Sequence, residues 1–157
     1  MTLHIKTQLP SAEGFAQLRR ETDWGAITSA QAKASLSASQ CGVSLYSAAQ
    51  PANTSAELIG AELIGMARVI GDGVLNLYIQ DVIITKAYRG QGYGAKLLGA
   101  LIAQLQQDYP EDCTIGLMAA TGQAPFYARF GFEARPSPST DAGMTAPLSE
   151  LRSSKAP

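Results

Sequence analysis

Histidine is nearly absent from this sequence: His4 is the only one in 157 residues, beside two cysteines, Cys41 and Cys113. No His/Cys cluster stands at ligand spacing, so a zinc-type metal site is not expected. A Ser-His or Cys-His nucleophile would lack its base. Two distant cysteines do not make a disulfide framework, and a lone cysteine usually serves as a small buried hydrophobe. An excess of positive charge is also missing. Lys and Arg number 12 against 13 Asp and Glu, for a net charge of -1, so nothing favours binding to a nucleic-acid backbone. No apolar run is long enough to cross a bilayer, and Met1 to Thr7 has no apolar segment of the signal-peptide kind. The reading at this stage is a cytoplasmic protein with no metal, nucleic-acid or membrane partner.

What is present suits a packed domain. Hydrophobic residues make up 46% and charged residues 16% of the chain, a globular balance. The length fits one domain, assigned to residues 1–151, with 152–157 as a loose tail. Leu3 to Leu9 reads as a strand broken by Pro10. Ser11 caps a helix carrying Phe15 and Leu18. Thr28, with Gln31 three residues on, predicts a capping box and a second helix. Asp23 and Trp24 fall in the connection. Val43 to about Ala49 and Ile64 to Ile70 read as strands. Asp72-Gly73 predicts a hairpin turn, followed by a long strand from Val74 to about Thr85.

Leu97, Leu98, Leu101, Ile102 and Leu105 mark the buried face of a helix that Pro110 ends. Thr114 to Met118 is a short strand. Pro125 opens a helix with Phe126, Tyr127 and Phe130, and Gly131 sits at its C-terminal cap. Phe132–Ala134 and Met144–Leu148 are expected to be closing strands. Ala56-Glu57-Leu58-Ile59-Gly60 recurs at once as Ala61 to Gly65. A five-residue period matches no solenoid and reads as a duplication lengthening a hairpin. The order of elements implies a mixed α/β, or α+β, domain.

The chemistry concentrates in Arg89-Gly90-Gln91-Gly92-Tyr93-Gly94-Ala95, between a strand and a helix. The glycines permit φ > 0 and close approach of the backbone. A helix start offers unpaired amides and a dipole to a phosphate group. The same stretch satisfies the G-x-G-x-x-G/A pattern of dinucleotide-binding folds, with Asp108 near the distance of a ribose contact. Its mid-chain place and the preceding hairpin argue against that fold. A P-loop is excluded, because Ala95-Lys96-Leu97 does not supply Gly-Lys-Ser/Thr.

Residues Leu77 to Leu105 resemble the coenzyme-binding core of the GNAT superfamily of N-acetyltransferases. Arg89, Gly92 and Gly94 fill its Gln/Arg-x-x-Gly-x-Gly/Ala pattern, and Ala124 to Phe132 resembles its second region. The resemblance implies a mostly antiparallel sheet splayed at an acetyl-CoA site and flanked by helices. It gives coenzyme contacts to the backbone of Val82, Ile83 and Ile84 and to Arg89 through Ala95. It makes Tyr127 a donor to the departing sulfur and Asp81 a base or holder for the amine. Acceptor contacts would come from the N-terminal helices and the final strands, with Asp23 and Trp24 as the leading candidates and Glu21 and Tyr46 beside them. The acceptor would be a small-molecule, peptide or protein amine, and family members often form homodimers. Two other classes stand beside this one: a non-catalytic acyl-CoA-binding module and a dinucleotide-binding protein.

Overall fold

The computed structural model describes residues 2–48, 60–145 and 147. These fall into two compact units, one ending at Met118 and the other beginning at Ala119. The tail from residue 152, residues 146 and 148 of the expected closing strand and residues 56–59 of the first repeat copy lie outside the described residues. Met144, Thr145 and Pro147 are described and form no strand, contrary to expectation.

The first unit is a five-stranded sheet in sequential order, β1 (Thr2–Lys6), β2 (Cys41–Ala48), β3 (Glu62–Gly71), β4 (Asn76–Ile84) and β5 (Thr114–Leu117). The first three pairings are antiparallel and the last, β4 with β5, is parallel. The mixed fold with a mostly antiparallel sheet is therefore as expected. The second copy of the repeat opens β3, where Ile64 is fully buried. Gly65 is needed there, because a methyl group would sit 2.8 Å from the Ile83 carbonyl oxygen.

Helix α1 (Ala12–Arg20) starts at Ser11, whose hydroxyl accepts from the Gly14 N–H at 3.1 Å. Helix α2 (Ser29–Ser37) starts at Thr28 with both halves of the capping box formed. Phe15, Ala16 and Leu18 of α1 and Ala32 of α2 form one core cluster with Met66 of β3 and Ile83 of β4. Side chains alternate along a strand, so Met66 and Arg68 of β3 face these helices, while Ala67 and Val69 face the other side. There α3 (Tyr93–Asp108) lies across β2, β3 and β4, burying Leu97, Leu98, Leu101 and Leu105.

Strand β4 changes sides partway along. Ile79 pairs with Val69, Gln80 with Arg68 and Ile83 with Met66, so Asp81 and Val82 together oppose Ala67. This β-bulge reverses the parity of the strand. Leu77 and Ile79 serve the α3 face, whereas Asp81 and Ile83 serve the face of α1 and α2.

The second unit contains α4 (Ala124–Ala128), with Pro125 in its first turn. Gly131 takes φ +90° just beyond it. The rings of Tyr127 and Phe126 meet edge-on at 4.9 Å, and Phe132 packs against Tyr127 at 6.2 Å. Residues 132–134 are not a strand, contrary to expectation. Phe132 is engaged by the aromatic cluster, and Pro136 and Pro138 remove ladder donors just downstream. Among the described residues, the only pairing nearby is an isolated bridge, Ser137 with Thr140.

Candidate active site

After Ile84 the chain makes a short 3-10 turn, Lys86–Tyr88, and enters the glycine run. Gly90 and Gly92 take φ +75° and +81°. A methyl group on either would meet nothing within 4 Å. Glycine is thus demanded by the path of the backbone, and the space before the turn is open. Gly92 is the N-cap of α3, and no side chain caps this helix. The first helical bond runs from the Lys96 N–H to the Gly92 carbonyl, 3.2 Å. The amides of Tyr93, Gly94 and Ala95 therefore have no partner within the helix. Together with the helix dipole they form a cradle for an anion. Gln91 steadies the turn by donating from Nε2 to the Ala87 carbonyl at 3.1 Å. Lys96, which the sequence reading passed over, lies with Nζ 5.9 Å from the Tyr93 ring and adds a cation at the same turn.

Arg89 is less free than a charge at an entrance. Its Nε donates to the Ile84 carbonyl at 2.8 Å and its Nη2 to the Glu21 carbonyl at 3.1 Å. Glu21 answers by accepting the Lys86 N–H at Oε2, 2.7 Å. Arg89 and Glu21 thus clasp the end of α1 to the turn. For Glu21 this is a structural use distinct from acceptor binding.

The sheet opens beside this turn. Pairing of β4 with β5 stops at Ile79 and Leu117, yet β4 continues to Ile84. From Gln80 onward, among the described residues, one edge of β4 has no strand beside it. The Thr85 N–H bonds the Ile64 carbonyl at 2.9 Å. By the alternation of an antiparallel ladder, Ile83 then turns its N–H and C=O to Met66. Val82 and Ile84 turn theirs toward the gap. The three positions named from the resemblance therefore divide, with Val82 and Ile84 on the open edge and Ile83 in the ladder. The Ile84 carbonyl is already taken by Arg89, which leaves Val82 as the freest backbone group there.

Asp81 sits at the start of this open stretch with φ +50°, the only described non-glycine residue at positive φ. A non-glycine residue held there stores about 1 kcal/mol of strain or more. Its side chain is 3% exposed, and both oxygens are engaged. Arg19 Nη1 reaches Oδ1 at 2.9 Å, and Arg68 Nε reaches Oδ2 at 2.6 Å. Arg68 also donates to Ser39 Oγ at 3.2 Å and lies over the Phe15 ring. Both oxygens of this buried carboxylate are thus taken by guanidinium donors.

Trp24 is 47% exposed, neither helix-packing core nor enclosed pocket wall. The Arg19 guanidinium lies 5.5 Å from its ring, and Arg19 Nη2 donates to its carbonyl at 3.2 Å. Asp23 beside it is exposed. Tyr46 is on β2, with Lys6 Nζ 5.7 Å from its ring. Asp108 closes α3 and stands at no strand end, so it is not placed as a ribose ligand in a dinucleotide fold would be. In the second unit Tyr127 is half-buried on α4, and burial pushes its hydroxyl pKa up. Among the described residues no group of three His, Cys, Asp or Glu could hold a metal ion.

Comparison with known proteins gives a consistent result. The family description "Acetyltransferase (GNAT) domain" matches residues 31–146. The Arabidopsis thaliana "GCN5-related N-acetyltransferase 2, chloroplastic" is 42% identical over 76 residues, 48% of this chain and 28% of that protein. The Glycine max "Histone acetyltransferase TAP1" is 42% identical over 74 residues, 47% of this chain and 31% of that one. The chain spans under a third of the length of these curated relatives. A solved structure from meticillin-resistant Staphylococcus aureus, named as a protein of unknown function and "Probable Acetyltransferase", is 26% identical. It superposes with a TM-score of 0.75, over 93% of this chain and 99% of that one.

Proposed function

Since the chain belongs to the GNAT acetyltransferase family, we propose that it transfers the acetyl group of acetyl-CoA to a primary amine by direct attack in a ternary complex. One observation carries the reading. The unpaired edge of β4 after Ile79 leads, within one short turn, to the uncapped start of α3. An extended thioester arm ending in a diphosphate needs this sequence of features: backbone partners along a strand, then a cluster of free amides. The residues present fit that ligand, because the space before Gly90 and Gly92 is open.

The amides of Tyr93, Gly94 and Ala95 bind the diphosphate, and Lys96 adds charge. The Val82 N–H, on the gap side, acts as a one-donor oxyanion site for the thioester oxygen, where charge grows during attack. The attacking amine must be neutral. A lysine-like amine with pKa about 10.4 loses about 4.6 kcal/mol to deprotonation at pH 7. Because both Asp81 oxygens are engaged, the proton leaves by solvent in this scheme. The resemblance gives Tyr127 the task of stabilising the departing thiolate. Its raised pKa favours donating a hydrogen bond over releasing the proton. Cys41 and Cys113 have no histidine to activate them, and burial raises both thiol pKa values, so no acyl-enzyme enters the scheme.

The acceptor is a small-molecule amine, a peptide N-terminus or a protein lysine. The name of the soybean relative supports the last, and exposed Asp23 and Trp24 would receive a cationic group. Calorimetric titration with acetyl-CoA and with NAD, followed by thiol release across an amine panel, tests the proposal. Heat of binding with acetyl-CoA alone, then turnover with an amine, is expected. Binding of NAD, or of acetyl-CoA with no transfer to any amine, would favour the other two classes.

A further inference from the structure

We propose that Asp81 is a positioning residue of the transfer reaction: clamped between Arg19 and Arg68, its carboxylate fixes the left-handed bulge of β4 and so the direction of the Val82 N–H in the gap. The inference rests on the acetyl-CoA reading above for its chemistry, though not for its geometry.

Three elements meet at this carboxylate: α1 through Arg19, β3 through Arg68, and β4 itself. The position is the first of two residues opposing Ala67, at φ +50°, where glycine is the usual occupant of a left-handed bulge. Glycine would accept the angle but would leave two guanidinium groups without their anion. Aspartate tolerates the angle better than most residues and supplies both oxygens. Each arginine is itself tied down. Arg68 bonds Ser39 and stacks on Phe15, and Arg19 bonds the Trp24 carbonyl and stacks on the indole. The bulge is therefore pinned from both flanks to the layer formed by α1 and α2. Val82, the next residue, inherits its direction from that pin. A regular strand at this point would turn different backbone groups toward the opening and return Ile83 to the α3 face, away from Met66.

The test uses Asp81→Asn and Asp81→Ala in the full chain. Asparagine tolerates the left-handed angle and keeps one acceptor oxygen, so it covers the case in which the alanine variant does not fold. The first readout is amide hydrogen exchange at Ile83, which needs no ligand. Exchange there is expected to quicken by about tenfold or more, with Val43 and Leu45 in β2 unchanged, as for a local opening. The second readout is kinetic. In Asp81→Asn, kcat is expected to fall about tenfold or more, with KM for acetyl-CoA little altered and the shape of the kcat/KM pH profile retained, as for a lost transition-state contact. Unchanged Ile83 exchange overturns the pin. Loss of a limb of the pH profile overturns positioning in favour of a base. Failure of the wild type to bind acetyl-CoA overturns the reaction reading instead, and it is seen in a separate titration.

Discussion

Replacement of Gly92 by alanine separates the backbone requirement of the turn from its ligand chemistry. Gly92 caps α3 at φ +81° and ψ 0°, and a Cβ there touches nothing within 4 Å. Steric collision thus contributes nothing, and the cost is conformational. An alanine in the left-handed region is disfavoured by about 1–2 kcal/mol. The restricted unfolded chain returns about 0.4–1 kcal/mol, leaving a net loss of about 1 kcal/mol. For a chain of this size that lowers Tm by about 2–4 °C. The chain can relieve the strain by rotating the peptide, which turns the Tyr93 and Gly94 amides out of the cradle. Losing one hydrogen bond to a charged group costs about 1.5–3 kcal/mol, or about 10- to 150-fold in Kd. Thermal melts and calorimetric titration with acetyl-CoA measure the two effects in one preparation. A variant that melts lower by the expected amount yet binds acetyl-CoA as tightly as the wild type would refute the assignment of these amides to the diphosphate.

Further expectations follow from other positions. Gly99 lies inside α3 with open space around its Cα, so Gly99→Ala should raise stability by about 1 kcal/mol through helix propensity, read as a higher Tm with unchanged coenzyme affinity. Tyr127→Phe should lower kcat about tenfold with little change in acetyl-CoA binding, if the hydroxyl stabilises the leaving sulfur; steady-state kinetics decides. The Asp72 carboxyl accepts from the backbone N–H groups of Asn76, Val74 and Leu75, which hold its pKa down to about 2. A folded pKa below the unfolded one gives stability present above about pH 4 and lost as pH falls toward 2. Melting temperature against pH should fall across that window less steeply in Asp72→Asn than in the wild type.

Much of this fold was legible because its signals are local. Ser11 and Thr28 sit where they cap, Asp72-Gly73 turns the hairpin, and Leu97 to Leu105 recur at helical spacing. The glycine turn was legible for the same reason, since Gly90 and Gly92 adopt the angles that their spacing suggested. The uses of charged residues were not. Asp81 reads as a catalytic carboxylate within a Val/Ile-rich strand, yet its partners lie 62 and 13 residues away in sequence. Nothing local announces a pair of guanidinium groups. The bulge is equally hidden, because Tyr78-Ile79-Gln80-Asp81-Val82-Ile83-Ile84 looks like one uninterrupted run. Arg89 reads as a ligand for phosphate and proves to be engaged with the carbonyls of Ile84 and Glu21. Phe132 to Ala134 carried strand-compatible residues, but the aromatic cluster around Tyr127 claimed Phe132 first.

The reversal of parity within β4 has a practical consequence for anyone altering this protein. A substitution library laid out by simple odd-even alternation from Asn76 to Ile84 would treat Ile79 and Ile83 as neighbours in one compartment. They belong to different ones, so compensating changes for Ile79 should be sought among Val69 and the leucines of α3, and those for Ile83 around Met66 and Phe15. The two halves of a single nine-residue segment can thus be re-engineered separately, each with its own set of covarying partners.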